Sequence, residues 1–131
     1  MIIDRILSSL LSEYVTADLK SFQIFLLDDS RVAALSEEAG KSRSEFYDAI
    51  AFSLAKGFQC KAFDFGFCDQ IVNELHNVIT VQNENRPELF WDVYLAFDAG
   101  EYYHDNNRSI DPVEAFTRPR IAEIVKNLPF N

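Results

Sequence analysis

Residues 98–107 read DAGEYYHDNN: three carboxylates, two tyrosines and a histidine set around a single glycine. Residues of these types could hold a metal, move protons or grip a partner. Glu101 and His104 form an E-x-x-H pair, the spacing used in di-iron carboxylate bundles, which also need a second such pair and further glutamates on facing helices. The only other histidine, His76, sits in NELHN, where Glu74 stands at the wrong spacing. The sequence therefore points to no metal and no cofactor. Asp98 and Glu101 could serve as an acid/base couple, but an acid-rich chain yields such pairs by chance. Cys60 and Cys68, spaced C-x₇-C, match no common zinc or redox pattern and read as reduced thiols. A glycine-rich phosphate loop, a nucleophile elbow and a Cys/His couple are all missing. The partner-binding reading uses the same residues without further requirements. Tyrosine gives a large rigid contact area with one polar tip, and neighbouring carboxylates speed encounter with a basic surface and fix its register.

Bulk properties restrict the partner. The net charge is −9, from 21 acidic and 12 basic residues. Direct binding to nucleic acid rests on Lys and Arg neutralising phosphates, so this balance argues against it, and against anionic membrane surfaces. The excess is uneven. Residues 1–40 hold seven acids and three bases, and residues 81–114 hold eight acids and two bases. Residues 41–80 are nearly balanced, and the last 17 are basic. Such a pattern favours a face with one sign of potential. No apolar run approaches the roughly 18 residues of a membrane span. The opening MIIDRILSSLLSEY is interrupted by Asp4 and Glu13 and lacks a basic start, so it does not read as a secretory signal. A cytoplasmic protein is expected.

The elements that must position these residues are helices. At 131 residues the chain fits one domain, residues 1–131, and twelve phenylalanines predict a bulky aromatic core. Apolar residues at three- and four-residue steps predict a helix over Ile2–Val15, and a second is expected over 17–27. Asp28, Asp29 and Ser30 offer caps for a short helix through RVAALSEEA, with Gly40 as its stop. Ser42 or Ser44 can cap EFYDAIAFSLAK, with Gly57 at its end. Residues 58–68 alternate aromatic and polar side chains like a strand, and their conformation stays open. Asp64 or Asp69 can cap QIVNELHNVIT. VQNENR reads as a loop, Pro87 starts a long helix PELFWDVYLAFDA, and Asp111–Pro112 and Thr117 repeat start signals before Pro129 ends the pattern. The fold class is all-α: a single-domain bundle of about six or seven helices.

Wound at 100° per residue, the helix after Pro87 is apolar over a broad arc through Leu89, Phe90, Trp91, Val93, Tyr94, Leu95 and Phe97, so it belongs at the centre of the core. Continued past Gly100, it would bury Glu101 beside Phe90 and Tyr94, at a cost of several kcal/mol. A left-handed stop at Gly100 avoids this and releases EYYHDNNRS as an exposed loop.

A small, acidic, all-α chain with Tyr102–Tyr103 beside Glu101 and Asp105 resembles bacterial immunity proteins. In the helical type that blocks DNase colicins, a tyrosine pair and carboxylates mask a basic nuclease. That type is shorter, and its own motif is not found here. In size and acidity the chain more closely resembles immunity proteins of contact-dependent growth inhibition systems, some of which neutralise tRNA-cleaving toxins. The resemblance implies a non-catalytic inhibitor that binds a basic toxin domain at 1:1 stoichiometry, without touching nucleic acid or membrane. It implies partner contacts at Asp92, Asp98, Glu101, Tyr102, Tyr103 and Asp105, with His104 as a pH-sensitive member. Asp28 and Asp29, in the other acidic quarter, are the second choice. Two other classes remain: a helical regulatory or self-assembling interaction domain, and a small hydrolase using the carboxylates.

Overall fold

The structure, a computed structural model, describes residues 2–21 and 24–128. These residues form six α-helices: α1 (Ile2–Leu19), α2 (Asp29–Glu38), α3 (Arg43–Gln59), α4 (Phe65–Val81), α5 (Glu88–Asp98) and α6 (Arg118–Lys126). A 3₁₀ turn at His104–Asn106 and a π-helical turn at Val113–Thr117 lie between α5 and α6. There is no strand among the described residues, and the all-α expectation holds. One hydrophobic core draws side chains from all six helices. Among the described residues, no helix is long and apolar enough to cross a membrane.

Local chemistry sets most boundaries. Asp28 accepts from the Arg31 amide at 2.9 Å and caps α2, and Gly40, at φ +67°, turns the chain after it. Ser42, not Ser44, caps α3, in a reciprocal box with Glu45. Asp64, not Asp69, caps α4 by accepting from the Phe67 amide at 2.9 Å. Pro87 leaves α5 without a side-chain cap of its own. Asp48 of α3 supplies one instead, accepting from the Phe90 amide at 2.9 Å. Helix α5 packs against α3, α4 and α6 and buries Phe90, Val93, Ala96 and Phe97, as its wide apolar arc requires.

Two expectations need correction, and one open segment is resolved. Residues 17–27 are not a second helix. Helix α1 runs on to Leu19, and residues 24–28 are irregular, while 22–23 lie outside the described residues. The reason is distant in sequence: Glu74 Oε1 on α4 accepts from both the Leu26 and Leu27 amides, at 2.9 and 2.7 Å. Those amides cannot then serve a helix, and both leucines drop into the core. Gly57 does not end α3, which continues to Gln59. A Cβ at Gly57 would lie 2.1 Å from the Phe63 ring, so the glycine makes room for the returning chain. The open segment 58–68 is no strand; it is the end of α3, a turn with Lys61 at φ +67°, and the start of α4. Its alternating rings pack inward, Phe63 on Phe67 at 5.2 Å and Phe65 on Phe97 at 6.0 Å. The stop expected at Pro129 lies outside the described residues.

Glu74 joins α4 to a segment 47–48 residues earlier in the chain. It is 8% exposed, and burial raises its pKa above the ordinary carboxylate value. Glu74→Ala leaves two amides without their acceptor and should lower the unfolding free energy by about 2–3 kcal/mol. Glu74→Gln keeps an oxygen in place and should lose less. Urea denaturation of the three proteins checks the order.

Candidate docking surface

The end of α5 decides where the DAGEYYHDNN residues go. Gly100 is buried, and a Cβ built on it would meet Thr117 Oγ1 at 2.3 Å and Phe65 Cε1 at 2.7 Å. The Thr117 hydroxyl donates to the Ala96 carbonyl at 2.8 Å, which ties the last turn of α5 to the start of α6. Gly100 does not take the left-handed conformation expected of it; among the glycines only Gly40 has positive φ. The glycine is needed for close approach instead. The helix stops at Asp98, and the chain leaves the core as foreseen.

Outside, the loop is held by stacking. Tyr102 and Tyr103 are 54% and 44% exposed. The His104 ring stacks on Tyr102 at 4.4 Å and packs on Phe116 at 3.9 Å. Its Nε2 donates to the Ala99 carbonyl at 2.8 Å, which places a proton on that nitrogen. Arg108 sits 5.1 Å from the Tyr103 ring. Asp105 and Asn106 both adopt left-handed φ, 54° and 57°, a conformation that Asp and Asn tolerate better than most residues. The tyrosines are thus presented in a fixed arrangement, which lowers the entropy lost on binding. Glu101 and His104 turn to different partners, so the E-x-x-H pair does not converge.

Glu101 reaches across to α4. Asn73 Nδ2 donates to Glu101 Oε2 at 2.9 Å and to the Asp69 carbonyl at 2.7 Å. The Asp69 carboxyl lies beside that of Glu101, and its Oδ1 is sealed from solvent without a hydrogen-bond partner. Burial and a neighbouring carboxylate both disfavour the charged form of such a group. Asp69 is accordingly pushed up to about 8, by burial first, then by Glu101, with Asp98 adding to it. The charge of Asp98 also acts on His76 and Tyr94, so Asp98, Glu101 and Asp69 converge on the seam between α4 and α5. Beside them runs a ladder of partly buried rings. His76 stacks on Tyr94 at 4.4 Å, Tyr94 on Trp91 at 5.2 Å, and Arg86 covers Trp91 at 3.8 Å. Asp69 and this ladder were not singled out as site residues in the sequence, because only the α4–α5 pairing joins them to the loop. No group of three or more His, Cys, Asp or Glu side chains is placed to hold a metal ion among the described residues.

Asp105 is exposed on the same loop, and the remaining candidates lie elsewhere. Asp92, six residues before Asp98, points roughly 120° away around α5 and faces α3 and α6, where it lines a groove with Asp48 and Glu123. Asp28 and Asp29 are engaged at the start of α2. Asp28 is its cap, and Asp29 pairs with Arg43 at 2.6 Å. The chain matches no family model, and neither a curated protein nor a solved structure matches it significantly.

The Asp69 proton gives a pH signature. A carboxyl whose folded pKa lies above its unfolded value of about 3.9 contributes full stability below that value and loses it as pH rises through the folded pKa. Asp69→Asn cannot ionise and keeps a donor toward Glu101. It should match the wild type near pH 4 and exceed it by about 1–2 kcal/mol at pH 8.5, water at this partly open seam screening the effect. Denaturant unfolding across that range checks it; a constant difference would contradict a raised Asp69 pKa.

Proposed function

We propose that this protein is an immunity protein: it binds a basic toxin domain, such as a tRNA-cleaving nuclease of a contact-dependent growth inhibition system, and neutralises it in a cytoplasmic 1:1 complex. The observation that carries the reading is the loop at the end of α5. Two half-exposed tyrosines stand there, Tyr102 stacked on His104 and Tyr103 beside Arg108, and Asp98, Glu101 and Asp105 flank them on a chain of net charge −9. A nuclease must grip a polyanion, so its cleft is cationic. An acidic body seated on or beside that cleft excludes substrate by volume and by charge. The tyrosines would supply the desolvated contact area and the carboxylates the steering. The inhibitor itself needs no catalytic group.

A self-assembling or peptide-binding regulatory domain is the second reading. What favours it is the apolar surface beside the α1–α2 connection, where Leu19 and Phe25 are 81% and 85% exposed.

Affinity capture from the native host separates the two. Recovery of a basic nuclease domain at equimolar ratio supports immunity; recovery of this chain alone supports self-assembly. With the captured toxin, the double substitution Tyr102→Ala/Tyr103→Ala should weaken binding at least tenfold, about 1.4 kcal/mol or more. Association should also slow as salt rises from about 10 mM to 150 mM, where the Debye length shrinks from about 30 to 8 Å. Binding indifferent to both changes would count against this surface.

A further inference from the structure

On the side of α5 away from the tyrosine loop, α3, α5 and the end of α6 enclose a groove of about 450 Å³. Its composition follows from helical spacing. Glu88 and Asp92 stand one turn apart on α5, and Ile124 of α6 is joined by Leu128, just past the end of that helix. Glu123 lies beside Ile124, and Asp48 reaches in from α3, fixed by its bond from the Phe90 amide at 2.9 Å. The result is an apolar floor of Leu89, Ile124 and Leu128 inside a rim of four carboxylates, Asp48, Glu88, Asp92 and Glu123. The floor residues are partly buried, and Glu88, Asp92 and Glu123 are exposed.

The rim is uncompensated. The ion pairs among the described residues join Glu13 to Arg31, Asp29 and Glu84 to Arg43, and Glu114 to Arg118; none involves a rim acid. Burial and the nearby charge of Glu88 both raise the Asp48 pKa, in keeping with negative charge that no cation offsets. A groove that is apolar at its base and anionic at its edge has a definite complement. Its floor suits side chains one turn apart on a helix, the helix-in-groove mode of recognition. Its rim demands cations on both flanks of that apolar stripe and rejects anions.

We infer that the α3–α5–α6 groove is a docking site for a cationic amphipathic helix of a partner protein, with leucine-like residues one turn apart against Leu89, Ile124 and Leu128 and Lys or Arg against Asp48, Glu88, Asp92 and Glu123. The site goes beyond the loop surface, because any partner bearing such a helix satisfies it, whether or not it is a nuclease. It also gives Asp92 a role separate from that of the tyrosines.

A synthetic Leu-Lys-Lys-Leu repeat helix titrated into ¹⁵N-labelled full-length protein tests this. The peptide should perturb amides of α5 around Leu89–Val93 and of α6 around Glu123–Leu128. Replacing its leucines by serine should weaken binding at least tenfold, and replacing its lysines by glutamate should abolish it. The double reversal Asp92→Lys/Glu123→Lys should cost at least tenfold; Asp92→Asn/Glu123→Gln serves if circular dichroism shows that the reversal misfolds. The inference is overturned if the serine peptide binds as well, since charge alone then explains attraction. Perturbations confined to residues 98–108 also overturn it. So does sedimentation showing that the free protein dimerises through this face, which would assign the groove to a second copy.

Discussion

The route of the chain at Gly100 depends on a contact too close for any side chain. Between Thr117 and Phe65 there is space for a glycine and for nothing larger. The Thr117 hydroxyl, bonded to the Ala96 carbonyl, ties one side of that gap to the last turn of α5. The most apolar helix of the bundle is thereby ended at the edge of the core. The next residues, which are acidic and phenolic, are sent outward with a fixed start. From there a short series of contacts runs into the loop: the Ala99 carbonyl holds His104, and Phe116 and Tyr102 both pack on its ring.

Charge is divided between structural and free use more sharply than the count of acids suggests. Asp28, Glu45 and Asp64 satisfy helix starts on their own elements, and Asp48 does so for a neighbouring helix. Glu13 holds Arg31, and Asp29 and Glu84 hold Arg43. Glu74 holds the irregular chain at Leu26 and Leu27. Taking these out leaves Asp92, Asp98, Glu101 and Asp105 among the acids without such duties, all from the acid-rich stretch 81–114. They form two surfaces, one with the tyrosine loop and one with the groove, on different sides of α5. Only Asp98 and Glu101 are drawn into a further arrangement, the seam with Asp69 between α4 and α5.

What was legible in the sequence is what local chemistry decides. The helical class, the cap at Asp28, the stop at Gly40, the central place of α5 and the outward turn after Gly100 all follow from residues within a turn or two of each other. What was hidden depends on partners far along the chain. Glu74 lies 48 residues from the Leu26 amide that it accepts from. Asp48 caps a helix 42 residues on, through Phe90. The alternation through 58–68 imitates a strand because a turn between two helices has to bury Phe63, Phe65 and Phe67 against different neighbours. For the candidate surface, sequence reading assembled the loop from contiguous residues, but Asp69 and the His76–Tyr94–Trp91 ladder join it only through helix packing. Asp92 was grouped with the loop by proximity in sequence, and the helical rotation separates them.

Hydrogen–deuterium exchange of the protein, free and bound to its captured partner, tests most directly whether the loop at the end of α5 is where a cationic protein sits. The account predicts that amides from Asp98 to Arg108 exchange more slowly in the complex. Unchanged exchange there, with new protection confined to α1, α2 and the segment between them, would contradict it.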